Sequence, residues 1–239
     1  MIDPATSAAL GRIEMRERDV LHAYEPGFVP ESSDVERPAR AVVSHDPLSV
    51  VAPDGAYFAS ADARDGIAFS RDGAFELRDG MLRTADGRAV LGYAGGNRSA
   101  LVPLRVDRYD GALGRVAQPR VEADGTFSYM RSALDPRSGE VRTERVAAGR
   151  LALVRLPAGT QPERVDATHV RPPQGVTPHF GAPADGSFAM LATNSRDPGR
   201  VDLVQGLDKL REAYISYEAL RTAQHAHGET EKTAMGLVK

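Results

Sequence analysis

Eight Asp-Gly pairs punctuate the chain, at Asp54-Gly55, Asp65-Gly66, Asp72-Gly73, Asp79-Gly80, Asp86-Gly87, Asp110-Gly111, Asp124-Gly125 and Asp185-Gly186, and they constrain its fold more than any other feature. Both residues tolerate positive φ, so Asp-Gly between short apolar runs is a hairpin signal. From Asp65 to Gly87 the pairs recur every seven residues and separate Ile67-Ala68-Phe69-Ser70, Ala74-Phe75-Glu76-Leu77 and Met81-Leu82-Arg83-Thr84. That pattern predicts a meander of short strands. Further strands are expected at 100–106, 120–122 and 126–130, and at 149–156, where Leu151-Ala152-Leu153-Val154-Arg155-Leu156 is apolar enough for a buried strand. Residues 157–184 hold six prolines and read as loops around one or two short strands near 165–170.

A different periodicity frames this β-rich middle. Residues 4–24 read as a helix with Leu10, Ile13, Val20 and Leu21 on one side and charged residues around the rest. Near the other end Leu203, Leu207, Leu210, Tyr214 and Tyr217 alternate in steps of four and three, a heptad seam that places all five on one side of a helix. Asp197-Pro198 is an entry signal, a capping carboxylate before a first-turn proline, so this helix is expected to start near 198. It continues more weakly to Leu237, with Gly228 as a weak point. The expected organisation is an N-terminal assembly helix at 1–24, an extended Pro- and Ser-rich linker at 25–40, a central β-domain at 41–190 and a C-terminal assembly helix at 191–239. The expected fold class is mainly β with helical termini: an irregular all-β central domain of short strands and hairpins, its terminal helices pairing as a coiled-coil-like module.

Composition excludes several functions. The net charge is −3, with 30 basic residues interleaved among 33 acidic ones, which argues against a nucleic-acid partner. There is no cysteine, hence no disulfide frame and no thiolate metal site. No run approaches the roughly 18 apolar residues of a membrane span, and residues 1–21 lack the apolar core of a signal peptide. Neither membrane insertion nor a cleaved signal is expected.

Catalytic motifs are thin. His225 and His227 are two apart on a helix, so they point in different directions and share no ion. The Asp-Gly spacing matches neither a calcium loop nor the nine-residue calcium repeat. Residues 92–97 are glycine-rich but lack the Lys-Ser/Thr of a phosphate loop. His45, His169 and His179 read as turn or surface residues. Asp72, Asp86 and Asp124 are carboxylates of the type a hydrolase uses, yet nothing in the sequence brings two of them together. No catalytic, cofactor-binding or metal-binding residue is expected, and the chain is not expected to be an enzyme.

Three separated stretches together resemble the bacterial flagellar rod and hook basal-body family. Tyr24-Glu25-Pro26-Gly27-Phe28 resembles the turn that follows the family's first helix. Asp46-Pro47-Leu48-Ser49-Val50 and Gly55-Ala56-Tyr57-Phe58 are similar to its Asn-Pro-Leu and Gly-Phe-Phe segments. Arg71-Asp72-Gly73-Ala74-Phe75 and Thr84-Ala85-Asp86-Gly87 are similar to its most specific pair of turns. Val201-Asp202-Leu203-Val204 and Glu212-Ala213-Tyr214 resemble blocks of its last helix. The first helix departs from the pattern by its charged run Arg16-Glu17-Arg18-Asp19, and Gly206 stands where the family has a helix former. The resemblance implies a proximal-rod-like structural subunit that stacks helically and transmits torque across the periplasm. Its partners would be copies of itself, other rod or hook proteins and the flagellar type III export apparatus, with export needing no cleaved signal. The competing reading is a monomeric β-domain that binds a ligand or wall glycan with its last helix as a lid.

Overall fold

The structure is a computed structural model that describes residues 3–62, 66–95, 100–106, 114–134 and 139–237. Asp65, Asp110-Gly111 and Gly96-Asn97 of the expected turns lie outside the described residues. The chain forms two compact units, one of Met1–Tyr24, Pro30–Arg37 and Val201–Lys239, the other of Glu25–Val29 and Pro38–Arg200.

The first unit is built on two helices. Helix α1 spans Pro4–Leu21, with the Asp3 carboxylate accepting from the Ala5 N–H at 3.2 Å and proline in the first turn, as an N-terminus requires. Helix α2 spans Leu203–Leu237 and runs through Gly228 without a break. Its cap is Asp202, whose Oδ1 accepts from the N–H groups of Val204 and Gln205 at 3.0 and 3.1 Å. Asp197 does not cap. It forms a buried ion pair with Arg200 at 2.6 Å, one turn of chain ahead of the helix. With 35 residues against 18, α2 is about 50 Å long and α1 about 27 Å.

In the second unit the strands Glu163–Arg164, His169–Arg171, Gly66–Ser70, Tyr57–Asp62, Ala89–Tyr93, Val141–Leu151, Thr126–Leu134 and Gly114–Val121 lie side by side in that order, and five shorter ones extend them to a 13-stranded sheet. Alternation along the central strands explains their burial, because successive side chains point to opposite faces. Phe58, Val90, Leu151 and Leu153 enter one apolar cluster with Phe75, Leu82 and Phe127. Tyr57, Ala59, Leu91, Ala152 and Val154 enter a second with Phe69 and Val170. Both faces are therefore core. The Val141–Leu151 strand is exposed over most of its length, so with Thr126–Leu134 it leaves the double-sided core as an arm.

The expected fold class needs correction. A helix at each end around a β-rich middle is what the structure has, but the middle is not an irregular set of short strands and hairpins. Most of it is one 13-stranded sheet whose arm strands reach eight, nine and eleven residues, with two separate two-stranded ladders beside it; the chain is mostly β, as expected, with a helix at each end. Asp-Gly pairs report local reversals only. The pairings that fuse the sheet, Leu153 with Phe58 and Gly181, Val170 with Phe69, and Arg150 with Tyr93, join distant segments that two-sided burial selects. The segment 25–40 also differs from an open linker. Phe28 and Val35 are 1% and 0% exposed, and Ser33–Val35 forms a turn of 3-10 helix.

Candidate functional site

The two helices of the first unit run antiparallel. Val20 meets Gly206, the Tyr214 hydroxyl donates to Glu17, and the Gln224 amide donates to Thr6 Oγ1 at 2.7 Å and Asp3 Oδ2 at 2.9 Å, so partner numbers fall along α1 as they rise along α2. On α2 Gly206 is buried, and Leu203, Leu210, Ala213, Tyr217, Leu220 and Gln224 are among the half-buried positions, again in steps of three and four. Gly206 lets the backbones close, since a Cβ there would lie 3.2 Å from Val20 Cγ2. On α1 the covered residues are Ala9 and Ile13, with Leu10 and Val20 half-buried.

One edge of this pair is covered by its own chain. Arg16 grips Asp34 with two nitrogens at 2.7 and 2.9 Å, which holds the Asp34 carboxyl down at about 2. The buried Asp19 carboxylate accepts the Glu31 N–H at 2.9 Å, and the Asp202 N–H donates to the Val35 carbonyl at 2.7 Å. The opposite edge is bare. Leu21 is 80% exposed there, Leu207 49% and Tyr214 44%, while Val204 and Ile215, 71% and 60% exposed, lie by helical spacing on the face of α2 turned away from α1. Leu207 and Tyr214 therefore stand about a quarter turn away from the seam that meets α1. Of the nine residues expected at an assembly interface, Ile13 is buried between the helices. Leu10, Val20, Leu203, Leu210 and Tyr217 are half-covered, and Leu21, Leu207 and Tyr214 face outward.

In the β unit the turns singled out from sequence converge. Gly27 has φ +79°, and a Cβ on it would lie 2.6 Å from Asp72 Cβ and 2.9 Å from the Asp72 N, so the Pro26-Gly27-Phe28 turn sits directly on Arg71-Asp72-Gly73. Phe28 is held beneath the Arg164 guanidinium, 5.0 Å from its ring, while Arg164 donates to the Val29 carbonyl. Arg71 lies over the Tyr57 ring at 4.7 Å and donates to its hydroxyl at 3.0 Å. The Asp86-Gly87 turn closes the group, with Gly87 at φ +93°.

An open cleft of ≈ 400 Å³ lies among these turns, lined by Glu25, Pro26, Asp72, Asp86, His169 and Arg196 among others. Beside it Arg88 donates to Asp86 at 3.0 Å and to Asp166 at 3.1 Å. His169, 2% exposed, places Nδ1 3.1 Å from Asp166 and 3.7 Å from Asp86. Burial tends to raise the Asp166 carboxyl, but the Thr168 N–H, the His169 imidazole and the His169 N–H outweigh it and hold it below the usual range. The ligand atoms of Asp86, Asp166 and His169 lie within 4.8 Å of one another, as a metal centre would need. Arg88 already bridges both carboxylates. The arrangement is a clasp that ties the 84–88 turn to the 166–169 turn.

Burial raises the Asp72 carboxyl, although the Ala74 N–H bonds its anion at 3.0 Å. A raised carboxyl is less stable charged in the fold than in the unfolded chain, so its charge costs stability in full above its folded pKa, and the cost is lost as pH falls from there to below the unfolded-chain value. Asp72→Asn keeps an acceptor for Ala74 and removes the charge. Its melting temperature at neutral pH is expected within about 2 °C of the parent or above it; a fall of ~5 °C or more in a thermal melt contradicts this.

His169 is the residue that the sequence reading misplaced. It is buried, whereas His45 and His179 are exposed. His225 and His227 lie on the exposed surface of α2. Asp124 caps its own turn through Thr126 and does not join Asp72 and Asp86, which the fold does bring to one cleft. The signal that could have found one half of the clasp is Asp166-Ala167-Thr168-His169, an Asx turn in which one carboxylate accepts from the N–H groups of Thr168 and His169 at 2.9 and 2.8 Å. Among the described residues no helix is long and apolar enough to cross a membrane. The chain matches no protein-family model and no curated protein sequence.

Proposed function

We propose that this chain is a structural subunit that assembles helically through its terminal helices, as the flagellar rod resemblance implies. The observation that carries the reading is the helix pair, which has one edge covered by residues 30–37 and the other edge apolar and bare. Exposed apolar surface concentrated on one edge of a helical layer marks a partner surface. The convergence of the Pro26-Gly27-Phe28, Arg71-Asp72-Gly73 and Asp86-Gly87 turns supports the same family likeness, because these are the motifs on which the likeness rests. On this reading the partners are copies of the chain and related rod or hook subunits. The site of action is the periplasmic rod, reached by type III export, and the load carried is torque.

The chain acts without catalysis in this proposal. Asp86 is committed to Arg88, and one oxygen of Asp72 to its own turn. A glycan-binding domain with α2 as a lid is less well supported, since α2 is already paired with α1. Sedimentation of the purified full chain over a range of concentrations tests the proposal, with growth beyond the monomer expected.

A further inference from the structure

We propose that the cleft of the β unit binds an alkylammonium group, the charged end of a free diamine or of a lysine side chain. The site is separate from the helix pair, so it stands or falls independently of assembly.

Electrostatics set the sign of the ligand. Among the described residues the cleft is lined by the carboxylates of Glu25, Asp46, Asp72, Glu76 and Asp86 against one guanidinium, that of Arg196. A concave surface with this imbalance focuses a negative potential and gathers cations. Acidic residues alone do not make a site, and three of these are engaged within the fold. Asp46 accepts the Leu48 N–H at 3.0 Å with one oxygen and the Ser49 hydroxyl at 3.1 Å with the other. Asp86 holds Thr84 and Arg88, and Glu76 holds Arg78.

Two acceptors point to a ligand. The first is the second oxygen of Asp72. Its Oδ1 takes the Ala74 N–H at 3.0 Å, and Oδ2 has no hydrogen-bond partner. Burial raises this carboxyl and Asp86 raises it further, the response of an anion short of compensating charge. The second acceptor is Nε2 of His169, a lining residue whose side chain is 2% exposed. Its Nδ1 lies 3.1 Å from Asp166 Oδ1, which favours the ring proton there and leaves the lone pair on Nε2. Nε2 has no partner. A buried acceptor without a donor is destabilising until a donor reaches it.

Both atoms call for a donor, and the surrounding charge calls for a cationic one. An ammonium is a compact charge whose three N–H groups can serve separate acceptors, whereas a guanidinium pairs best with both oxygens of one carboxylate. Asp72 offers one oxygen, so the ammonium fits better. Pro26, Ala74, Phe75 and Ala85 give its methylene stem an apolar wall, and ≈ 400 Å³ is within the range of small-ligand sites.

The test is a titration of the isotope-labelled full chain with cadaverine at low salt, followed by NMR. Backbone amides of residues 70–76, 84–86 and 168–169 are expected to shift together and saturate, and the His169 Nε2 resonance to move as it gains a donor. Asp72→Asn keeps the Ala74 bond and the fold, and should weaken binding about tenfold or more. Added salt should weaken it as well. Agmatine, which carries a guanidinium besides its single ammonium, should bind less tightly than cadaverine. Nα-acetyl-lysine amide stands in for a lysine of a protein, and whichever of it and cadaverine binds more tightly identifies the source. Absence of saturable shifts with both ammonium probes overturns the site, as does binding that leaves His169 Nε2 unmoved or that survives Asp72→Asn at full strength. Tighter binding of agmatine overturns the choice of an ammonium. A chain that stays monomeric leaves each of these outcomes unaffected.

Discussion

Gly73→Ala is expected to cost about 3–5 kcal/mol and to lower the melting temperature of the β unit by about 10 °C. The reason is a backbone contact that no rotamer relieves. A Cβ on Gly73 would lie 1.9 Å from the Val50 carbonyl oxygen and 2.9 Å from the Phe58 ring. The Val50 N–H donates to the Gly73 carbonyl at 3.0 Å, so relief by moving the turn away from the Val50 strand breaks that bond. It also opens the apolar cluster that holds Val50, Phe58 and Phe75, where the two phenyl rings meet edge to face at 5.1 Å. Gly55→Ala is the control. Gly55 has φ +71° with nothing within 4 Å of a Cβ, so only left-handed strain of about 1–2 kcal/mol is at stake. Thermal melts of the two variants decide the matter. If Gly73→Ala melts no lower than Gly55→Ala, the close approach of the Arg71-Asp72-Gly73 turn to Val50 is not what holds that end of the sheet.

Gly206→Leu is expected to separate the two helices at a net cost of about 1–2 kcal/mol, while Gly206→Ala is expected to be close to neutral. Glycine inside a helix is unfavourable by about 1 kcal/mol relative to alanine, so both substitutions gain in local helicity. Opposing that gain is space. A methyl at position 206 stands 3.2 Å from Val20 Cγ2, which a small shift of one valine accommodates, and 3.9 Å from Val201 Cγ1. A leucine needs room that the antiparallel contact does not have, and overpacking of this kind costs about 1–3 kcal/mol. Amide exchange over residues 4–21 and 203–220 reports the pairing directly. Faster exchange in Gly206→Leu with an unchanged β unit is the expected result. Equal exchange in both variants and the parent would mean that Gly206 does not set the helix spacing.

What could be read from the sequence follows from the range of the forces involved. Capping and periodicity act within a few residues, so α1 is found where residues 4–24 predict it, and the two ends are helical as expected. The start of α2 is displaced because two aspartates compete for the cap. Asp197 is consumed by Arg200, whose guanidinium lies buried at 2.6 Å, and Asp202 is left to bond the free N–H groups. The five-residue heptad seam names the right helix; Leu203, Leu210 and Tyr217 lie among its half-buried positions, and Leu207 and Tyr214 stand to one side of them. Side-chain size was read as the signal for contact, yet α1 comes close at Gly206, while Leu207 is left exposed and Tyr214 reaches α1 only through its hydroxyl on Glu17. In the β unit, Asp-Gly turns mark where the chain reverses but carry no information on which distant strands pair, and that is why one sheet read as separate hairpins. His169 and Arg88 illustrate the same limit: their clasp joins residues 86 and 166, which no local pattern relates.

The central claim is that the terminal helices carry surface intended for other copies of the chain. Sedimentation velocity of the full-length protein, from dilute to concentrated solution, tests it most directly. The account predicts a monomer at low concentration that grows continuously into species larger than a dimer, without change in the melting of the β unit. A single monomeric boundary across the whole range would contradict it.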